Sequence, residues 1–234
     1  MDQNIQRLLI DMAAEVHQAP DKAVRHIAEY ARTAVKGEDS GIMIAKAKGR
    51  VDTVGETSQR VADAHRLQTE LDEGPCIDAI RTDVGTYLVA DLDDGRWPRW
   101  LPRQAELGYR SSITARMETG GRRFGSLNVY DRRAEAFTQA DLDVLELLAA
   151  QAAVAYANAE ANLNLRIALD TRTIIGQAQG VLMQAYDLDA ETAFAYLRRL
   201  SQAENIRLIE VAENLIRTRA LTGHPGASLE SSEG

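Results

Sequence analysis

The chain has 234 residues, of which 45% are apolar, and its formal net charge at pH 7 is -8. This length and composition suit one or two ordinary globular domains and exclude an extended or collagen-like chain. The acidic balance provides no overall positive field that would draw the protein to nucleic acid or to an anionic membrane. Any contact with nucleic acid must therefore depend on local geometry.

The chemistry-bearing residue types are sparse. The single cysteine, Cys76, excludes an internal disulfide and a cysteine-based zinc cluster. The histidines lack metal-ligand spacing, and His17, His26 and His65 are expected at helix surfaces or partly buried. No basic leader precedes an apolar segment, and no apolar run approaches the ~20 residues that span a bilayer. We therefore expect a cytoplasmic protein with no membrane partner, no metal site and no catalytic residues.

The first half of the chain mixes helical and strand patterns. Apolar residues from Ile5 to Val16 recur at helical spacing and predict an amphipathic helix that ends at Pro20, and a second helix follows Asp21. Strand patterns, two helical patterns and a Gly120-Gly121 hairpin turn then follow. The predicted strands are residues 41–45, 51–54, 86–90, 112–117 and 124–130, and the helices between them are residues 61–71 and a short helix near Ala105. Strands in runs favour an α+β fold with an antiparallel sheet and flanking helices.

A long helix is predicted from Thr138, whose hydroxyl can cap it while Asp141 favours the helix dipole. From Leu142 to Leu163, apolar residues alternate steps of three and four, which is typical of a coiled coil. Up to Ala152 this seam is expected to pack on the sheet. Beyond Tyr156, a helix that rises ~1.5 Å per residue outruns the sheet, so we expect contact with a second copy of the chain.

Three further helical patterns predict a small bundle near the end of the chain. The first has its apolar residues between Ile174 and Ala185, the second is capped by Asp189 and includes Phe194 in its apolar face, and Asn205 caps the third. These helices share one core and are joined by short connections. The end of the chain is therefore predicted to be all-helical.

Gly176 and Gly180 lie one turn apart in the first of these helices, where each costs about 1 kcal/mol relative to alanine. Either another helix crosses closely there, or a ligand approaches the helix backbone. Opposite the apolar face, amide side chains can meet base edges and arginines can meet phosphates. The candidate contacts with nucleic acid are Arg172, Thr173, Gln177, Gln179, Gly180, Arg198 and Arg207.

The end of the chain resembles the ANTAR domain, a three-helix RNA-binding module of bacterial transcription antitermination regulators. The resemblance rests on RTIIGQAQGVLM at residues 172–183, then Ala193-Phe194, Leu197-Arg198, Asn205 and EVA at residues 210–212. It implies that dimeric modules hold paired RNA hairpins in nascent transcripts, so that a terminator cannot form and RNA polymerase is affected indirectly. The family often has lysine where this chain has Gln179, which weakens a phosphate contact there.

The preceding part looks like a GAF domain, as found in actinobacterial GAF-ANTAR proteins. LDEGPCIDA at residues 71–79, Asp91-Leu92, RWP at residues 96–98 and GSLNVY at residues 125–130 carry this resemblance. GAF domains are sensory and dimerising units that often hold a small ligand between the sheet and loops such as the one bearing Trp97. Cys76, beside Gly74-Pro75, is a candidate to sense oxidants or hold a chromophore. Neither the ligand nor any other cofactor is identified. The alternatives are a buried structural Cys76 and a core position for Trp97.

The sequence therefore predicts an RNA-binding transcription antitermination regulator that forms a homodimer and senses a signal. The alternatives are a non-enzymatic dimerisation or protein-interaction module and a DNA-binding transcriptional regulator. Arginines and acidic residues are equal in number from Arg166 to Arg219, which disfavours duplex DNA. A methionine sulfoxide reductase of the GAF type would need a resolving thiol besides Cys76. The predicted segments are an N-terminal helix (1–18), a GAF-like sensor domain (19–157), a connecting coiled-coil helix overlapping its end (138–169), an ANTAR domain (170–222) and a disordered tail (223–234).

Overall fold

The computed structural model describes residues 20–222. The helix predicted in residues 1–18, the tail 223–234, His17 and His224 lie outside the described residues. The chain divides into two compact units, with the division between Ala161 and Asn162. Each unit has a hydrophobic core of its own.

A five-stranded antiparallel sheet forms the centre of the first unit. The order of the strands across the sheet is β2-β1-β5-β4-β3, and every neighbouring pair is antiparallel. The predicted α+β class is therefore confirmed. The strands are β1 (Asp39–Ala45), β2 (Val51–Val54), β3 (Thr86–Val89), β4 (Ser111–Thr119) and β5 (Arg122–Asp131).

The turn between β4 and β5 has the predicted chemistry. Thr119 lies opposite Arg122, so that Gly120 and Gly121 form the whole connection, with φ angles of 59° and 74°. Positive φ at both central residues matches the twist of the flanking strands and is accessible to glycine at little cost. This hairpin sets the register of the two longest strands.

Helices pack on both faces of the sheet. Because successive side chains of a strand point to opposite faces, Ile42 and Ile44 lie in one core and Met43 in the other. The first core is closed by α1 (Pro20–Ala34) and the beginning of α5 (Gln139–Tyr186), and the second by α2 (Gln59–Leu71), α3 (Pro75–Arg81) and α4 (Trp100–Glu106). Pro20, which was expected to end a helix, begins α1, since proline fits the first helical position.

The long helix α5 begins as predicted. The backbone N–H of Thr138 donates to Asp141 Oδ2 at 2.8 Å, and the Asp141 N–H donates to the Thr138 hydroxyl at 3.3 Å. These reciprocal bonds satisfy donors that the first helical turn leaves without partners. Leu142, Leu145 and Ala152 are buried in the first core, which confirms that this part of the seam packs on the sheet.

Helix α5 does not stop near residue 169. It continues to Tyr186, so the connecting helix and the first helix of the bundle, which were predicted as separate helices, are one. No glycine or proline interrupts residues 161–175, and the Thr173 hydroxyl donates to the Leu169 carbonyl at 3.0 Å without breaking the helix.

The second unit is a bundle of the last part of α5 with α6 (Ala190–Glu204) and α7 (Leu208–Thr222). The predicted cap of α6 is confirmed, since the Thr192 N–H donates to Asp189 Oδ1 at 2.7 Å and keeps the pKa of that carboxyl below its ordinary value. Asn205 does not cap α7. It has a φ of 53° and ends α6, because asparagine tolerates the left-handed conformation that closes a helix.

Candidate nucleic-acid interface and sensor core

Most of the predicted nucleic-acid contacts lie on the last part of α5. Thr173, Gln177 and Gly180 are exposed and share one side of the helix, while exposed Arg172 and half-buried Gln179 lie on the adjoining side. The structure thus brings hydroxyl, amide and guanidinium groups onto one continuous surface. This surface faces away from the core of the bundle, where Ala178 and Leu182 are buried.

Gln179 has an internal partner. Its Nε2 atom donates to the backbone carbonyl of Ala190 at 3.0 Å, at the first residue of α6. This hydrogen bond ties α5 to α6 where the two helices meet. Lysine, the residue common in the family, could not reproduce the neutral amide, although its ammonium group could also donate.

The surface around Gly176 and Gly180 is open. A Cβ atom built at either glycine would meet nothing within 4 Å among the described residues. The close helix crossing that could have explained these glycines is therefore absent from the described part of the chain. Their cost to the helix is not offset by any packing seen there, which leaves a flat strip of accessible backbone.

The two remaining candidates, Arg198 and Arg207, differ in whether they form an ion pair. Arg207 lies just before α7, and its Nε donates to Glu210 Oε1 at 2.5 Å. Arg198 lies on the exposed side of α6. No carboxylate of a described residue lies within 4.0 Å of its guanidinium group, and the same is true of Arg166, Arg172 and Arg199.

Nearly all described arginines of the first unit are paired with carboxylates. Every arginine from Arg32 to Arg133 has a carboxylate oxygen within 4.0 Å, and an exposed example is Arg50 with Asp52 at 3.5 Å. An exposed ion pair stabilises a fold by only about 0–1 kcal/mol. It nevertheless neutralises the guanidinium group, so that arginines without a described carboxylate partner are more frequent in the second unit than in the first.

Phe194 corrects the sequence analysis. It was placed in the apolar face of α6, but 38% of its surface is exposed, while Ala193 and Leu197 are buried. Each residue rotates the side-chain direction by about 100° around the helix axis, so Phe194, next to buried Ala193, lies at the edge of the buried face and not at its centre. Tyr186 and Tyr196 are also exposed, so each aromatic ring of the second unit faces solvent around an aliphatic core. The sequence hints at this exposure, because the alanine and leucine residues of α6 can form its apolar face without Phe194.

Cys76 is buried in the second core of the sheet unit. Its N–H donates to Gln68 Oε1 at 2.8 Å, and its Sγ lies 3.2 Å from the Tyr130 hydroxyl and 2.9 Å from Gln68 Nε2. Burial raises the pKa of the thiol to about 11. The thiol is thus protonated at neutral pH, which disfavours nucleophilic or redox chemistry.

Trp97 lies in the same core. Its Nε1 donates to Asp78 Oδ2 at 2.7 Å, and its ring packs edge-on against Tyr87 and Trp100. The Arg96 guanidinium lies 4.5 Å from the centre of the Trp97 ring. These contacts tie the loop before α4 to α3, a short helix that sequence patterns did not predict. The structure therefore brings Cys76 and Trp97 into one cluster.

This core also contains polar residues that sequence reasoning missed. His65 is fully buried rather than at a surface, its Nδ1 lies 3.2 Å from the Thr53 hydroxyl, and burial lowers its pKa to about 3. Ser126 Oγ, Asn128 Oδ1 and both polar atoms of the Gln104 amide are buried with no hydrogen-bond partner among the described residues. Such atoms usually mark a place where water or a small ligand binds. Their alternation with apolar residues along β5 is the only hint in the sequence.

Family models match two parts of the chain. The model described as a GAF domain matches residues 17–157, and the model described as an ANTAR domain matches residues 163–216. The chain belongs to the GAF family. It is a GAF domain followed by an ANTAR domain, the order that the sequence resemblance predicted.

Solved GAF-containing structures share the fold. The phycoerythrobilin-bound GAF domain from a cyanobacterial phytochrome is 14% identical, with 69% of this chain and 99% of that chain covered and a TM-score of 0.52. The phytochrome photosensory core module of Stigmatella aurantiaca is 12% identical, with 85% and 45% covered and a TM-score of 0.56. The bacteriophytochrome RpBphP3 from R. palustris is 11% identical, with 84% and 46% covered and a TM-score of 0.55.

The comparisons and the structure give further findings that bear on function. The chain spans less than half of those two phytochrome chains. No curated protein sequence matches it. In the described part of the chain, no helix is long and apolar enough to cross a membrane, and no group of three metal-binding side chains occurs. GAF and ANTAR domains are not typically catalytic, which suits a regulator with a sensor domain.

Proposed function

We propose that the protein is a cytoplasmic, homodimeric antitermination regulator whose ANTAR domains bind paired hairpins in nascent RNA. RNA polymerase is affected indirectly, because a transcript held in this form cannot fold its terminator. The observation that carries the proposal is the contrast in arginine pairing. In the GAF domain every arginine from Arg32 to Arg133 has a carboxylate within 4.0 Å, while the ANTAR domain leaves Arg172 and Arg198 without a described carboxylate nearby.

The geometry around these arginines suits RNA. Guanidinium groups bind phosphate oxygens through paired N–H donors, and amides such as that of Gln177 can read base edges. The open strip at Gly176 and Gly180 lets a ribose-phosphate backbone approach the helix more closely than any side chain would allow. Thr173 and Gln179 border this strip, and Arg207, which is paired with Glu210, is a secondary contact.

The middle of α5 supports a homodimer. Residues 161–170 are all exposed, including Leu163, Leu165, Ile167 and Leu169, whose surfaces are 53–60% accessible. Helical spacing places Leu163 and Ile167 on one face and Leu165 and Leu169 on the opposite face. Apolar residues on two faces of an exposed helix would be covered by helices of a second copy, and paired hairpins require two ANTAR domains.

The GAF domain is proposed to sense a small polar ligand. The unpartnered polar atoms of Gln104, Ser126 and Asn128 support this assignment, and Cys76 and Trp97 would form walls of the same core. GAF domains often bind small ligands or bilin chromophores. Cys76 does not fit covalent attachment of a bilin, because its thiol is fully buried, hydrogen bonded and protonated at neutral pH.

The exposed aliphatic residues also favour a second candidate function, a non-enzymatic module that dimerises or binds another protein. The two candidates make different predictions for RNA. A protein-interaction module would show no preference among hairpins, whereas an antiterminator binds two hairpins together. A duplex DNA-binding role is less well supported, because the balanced charge of the ANTAR domain gives little phosphate affinity.

The test measures binding of the full chain to a transcript with two hexaloop hairpins, to a single hairpin and to a stem without a loop, at several stated salt concentrations. We expect the paired hairpins to bind most tightly. The double variant Arg172→Ala/Arg198→Ala should bind about tenfold or more weakly, and the salt slope should fall by about two.

The matched control is Arg50→Ala, which removes an arginine that is paired with Asp52 at 3.5 Å. This variant should leave RNA affinity unchanged although it alters the net charge by the same amount per site. Equal, weak binding of the wild-type protein to all three RNAs would overturn the proposed function.

A further inference from the structure

Phe194 is an exposed aromatic residue that has no place in the core of the ANTAR domain. The other phenylalanines, Phe124 and Phe137, are 4% and 5% exposed, and Trp97 and Trp100 are also buried. Exposed Tyr186 and Tyr196 carry a hydroxyl group that water can satisfy, whereas a phenylalanine ring has none. Phe194, 38% exposed, is therefore an apolar ring on the surface that could contact another molecule, and its neighbours decide which kind.

The surroundings of Phe194 are defined by α6 and by its hydrogen bond to α5. Helical side chains lean toward the N-terminus, so the ring lies toward the turn that begins at Ala190. The Ala190 carbonyl accepts the hydrogen bond from Gln179 Nε2 at 3.0 Å. Phe194 therefore lies on the flank of α6 that meets Gln179. Met183, one turn beyond Gln179 on α5, is 37% exposed.

A positive charge adjoins this ring. Arg198 is one helical turn after Phe194 on the same side of α6, and no described carboxylate lies within 4.0 Å of it. Glu191, one turn before Phe194, is the acidic residue on this flank, and it is exposed and forms no ion pair with a described residue. An apolar ring beside an unpaired guanidinium group suits a flat partner that carries negative charge.

We propose that Phe194 is a stacking platform for an unpaired base in the loop of a bound RNA hairpin, with Arg198 at the adjoining phosphate. This inference rests on the proposed function and adds the residues that would contact the loop. Bases within an A-form stem have both faces covered by neighbouring bases, whereas a loop can present a free face to an aromatic side chain. Met183 would contact the edge of the same base. The ANTAR domain would then read the loop through α6 and the backbone through α5.

The test uses the full-length protein and paired hairpins in which each loop position in turn carries 2-aminopurine, whose fluorescence responds to stacking. In the wild-type complex, one loop position should show a change that is absent in Phe194→Leu. Because stacking on an aromatic side chain contributes roughly 1–3 kcal/mol per base, Phe194→Leu should weaken binding by roughly tenfold. Phe194→Trp, which keeps a ring, should restore both signals.

Tyr196→Leu is the matched control, since it removes another exposed ring from α6 on a different side of the helix. It should change neither the fluorescence nor the affinity. If the wild-type protein binds no hairpin, the proposed function fails. If the wild-type protein prefers looped hairpins but Phe194→Leu binds equally well, or if no loop position changes its fluorescence, the stacking site alone is overturned. The wild-type fluorescence decides the matter even if Phe194→Leu does not fold.

Discussion

The GAF and ANTAR domains use the same residue types in opposite ways. In the GAF domain, rings such as Trp100 and Tyr130 are fully buried, and each arginine from Arg32 to Arg133 lies beside a carboxylate. In the ANTAR domain, the rings face solvent, and several arginines lack such a partner among the described residues. In the first domain these residues contact other parts of the same domain, while in the second they are accessible to another molecule.

This difference shows why function is easier to locate in the ANTAR domain. Its core consists of alanine and aliphatic residues, which suffice to close three helices. The exposed aromatic rings lie outside that core, and most of the described arginines there have no carboxylate partner. In the GAF domain the corresponding signal is a set of buried polar atoms without partners, which is visible only in three dimensions.

The largest expected effect tests the comparison between the two domains at their aromatic residues. Trp100→Ala should destabilise the GAF domain by about 3–5 kcal/mol, because it removes a fully buried indole and leaves a cavity. Phe194→Ala should cost about 1 kcal/mol or less, as expected for a partly exposed site. Urea unfolding followed by circular dichroism measures both values. Equal losses would show that Phe194 serves the fold, contrary to the comparison.

The next effect concerns the exposed part of α5 between the two cores. Leu165→Asp/Leu169→Asp should weaken self-association at least a hundredfold, or about 2.7 kcal/mol, because charges would be buried in the proposed dimer interface. Sedimentation equilibrium gives the dissociation constant. Val84→Asp, which alters an aliphatic residue that is 53% exposed in the GAF domain, is the control. A double variant that remains dimeric would place the interface elsewhere.

The smallest expected effect concerns glycines, which lie in open positions in the ANTAR domain and in a packed position in the GAF domain. Gly176→Ala and Gly180→Ala should each stabilise the ANTAR domain by up to about 1 kcal/mol, since both sites are open and alanine favours a helix. RNA affinity should nevertheless fall as the methyl groups obstruct the strip. Gly125→Ala should instead destabilise the GAF domain, because its Cβ would collide with the Met43 carbonyl. Unchanged RNA affinity in the stabilised variants would remove these glycines from the interface.

Local signals allowed much of the fold to be predicted. The Gly120-Gly121 turn, the Thr138 capping box and the Asp189 cap depend on neighbouring residues alone, and all are present. The continuity of α5 was missed because patterns from two different cores meet along it. Asn205 was misassigned because asparagine suits either the beginning or the end of a helix, and only backbone geometry distinguishes them.

The candidate site was predictable in position but not in detail. Residue types and spacing placed Arg172, Gln177 and Gly180 on one exposed surface. Some arginines pair with a carboxylate a few residues away, as Arg207 does with Glu210, but others, such as Arg110 with Asp91, pair across distant segments that a single sequence does not reveal. The burial of His65 and the exposure of Phe194 likewise depend on how neighbouring elements close over each side chain.

The paired arginines of the GAF domain have a consequence for how the protein would find its target in a crowded cell. A surface on which most arginines are already paired with carboxylates gains less from counterion release, so random stretches of nucleic acid retain it less. With a net charge of -8, the whole chain is also repelled weakly by polyanions. Encounters with nucleic acid would therefore be brief unless the small cationic surface of the ANTAR domain meets an RNA of matching shape. Selection among RNAs would then begin before any base is contacted.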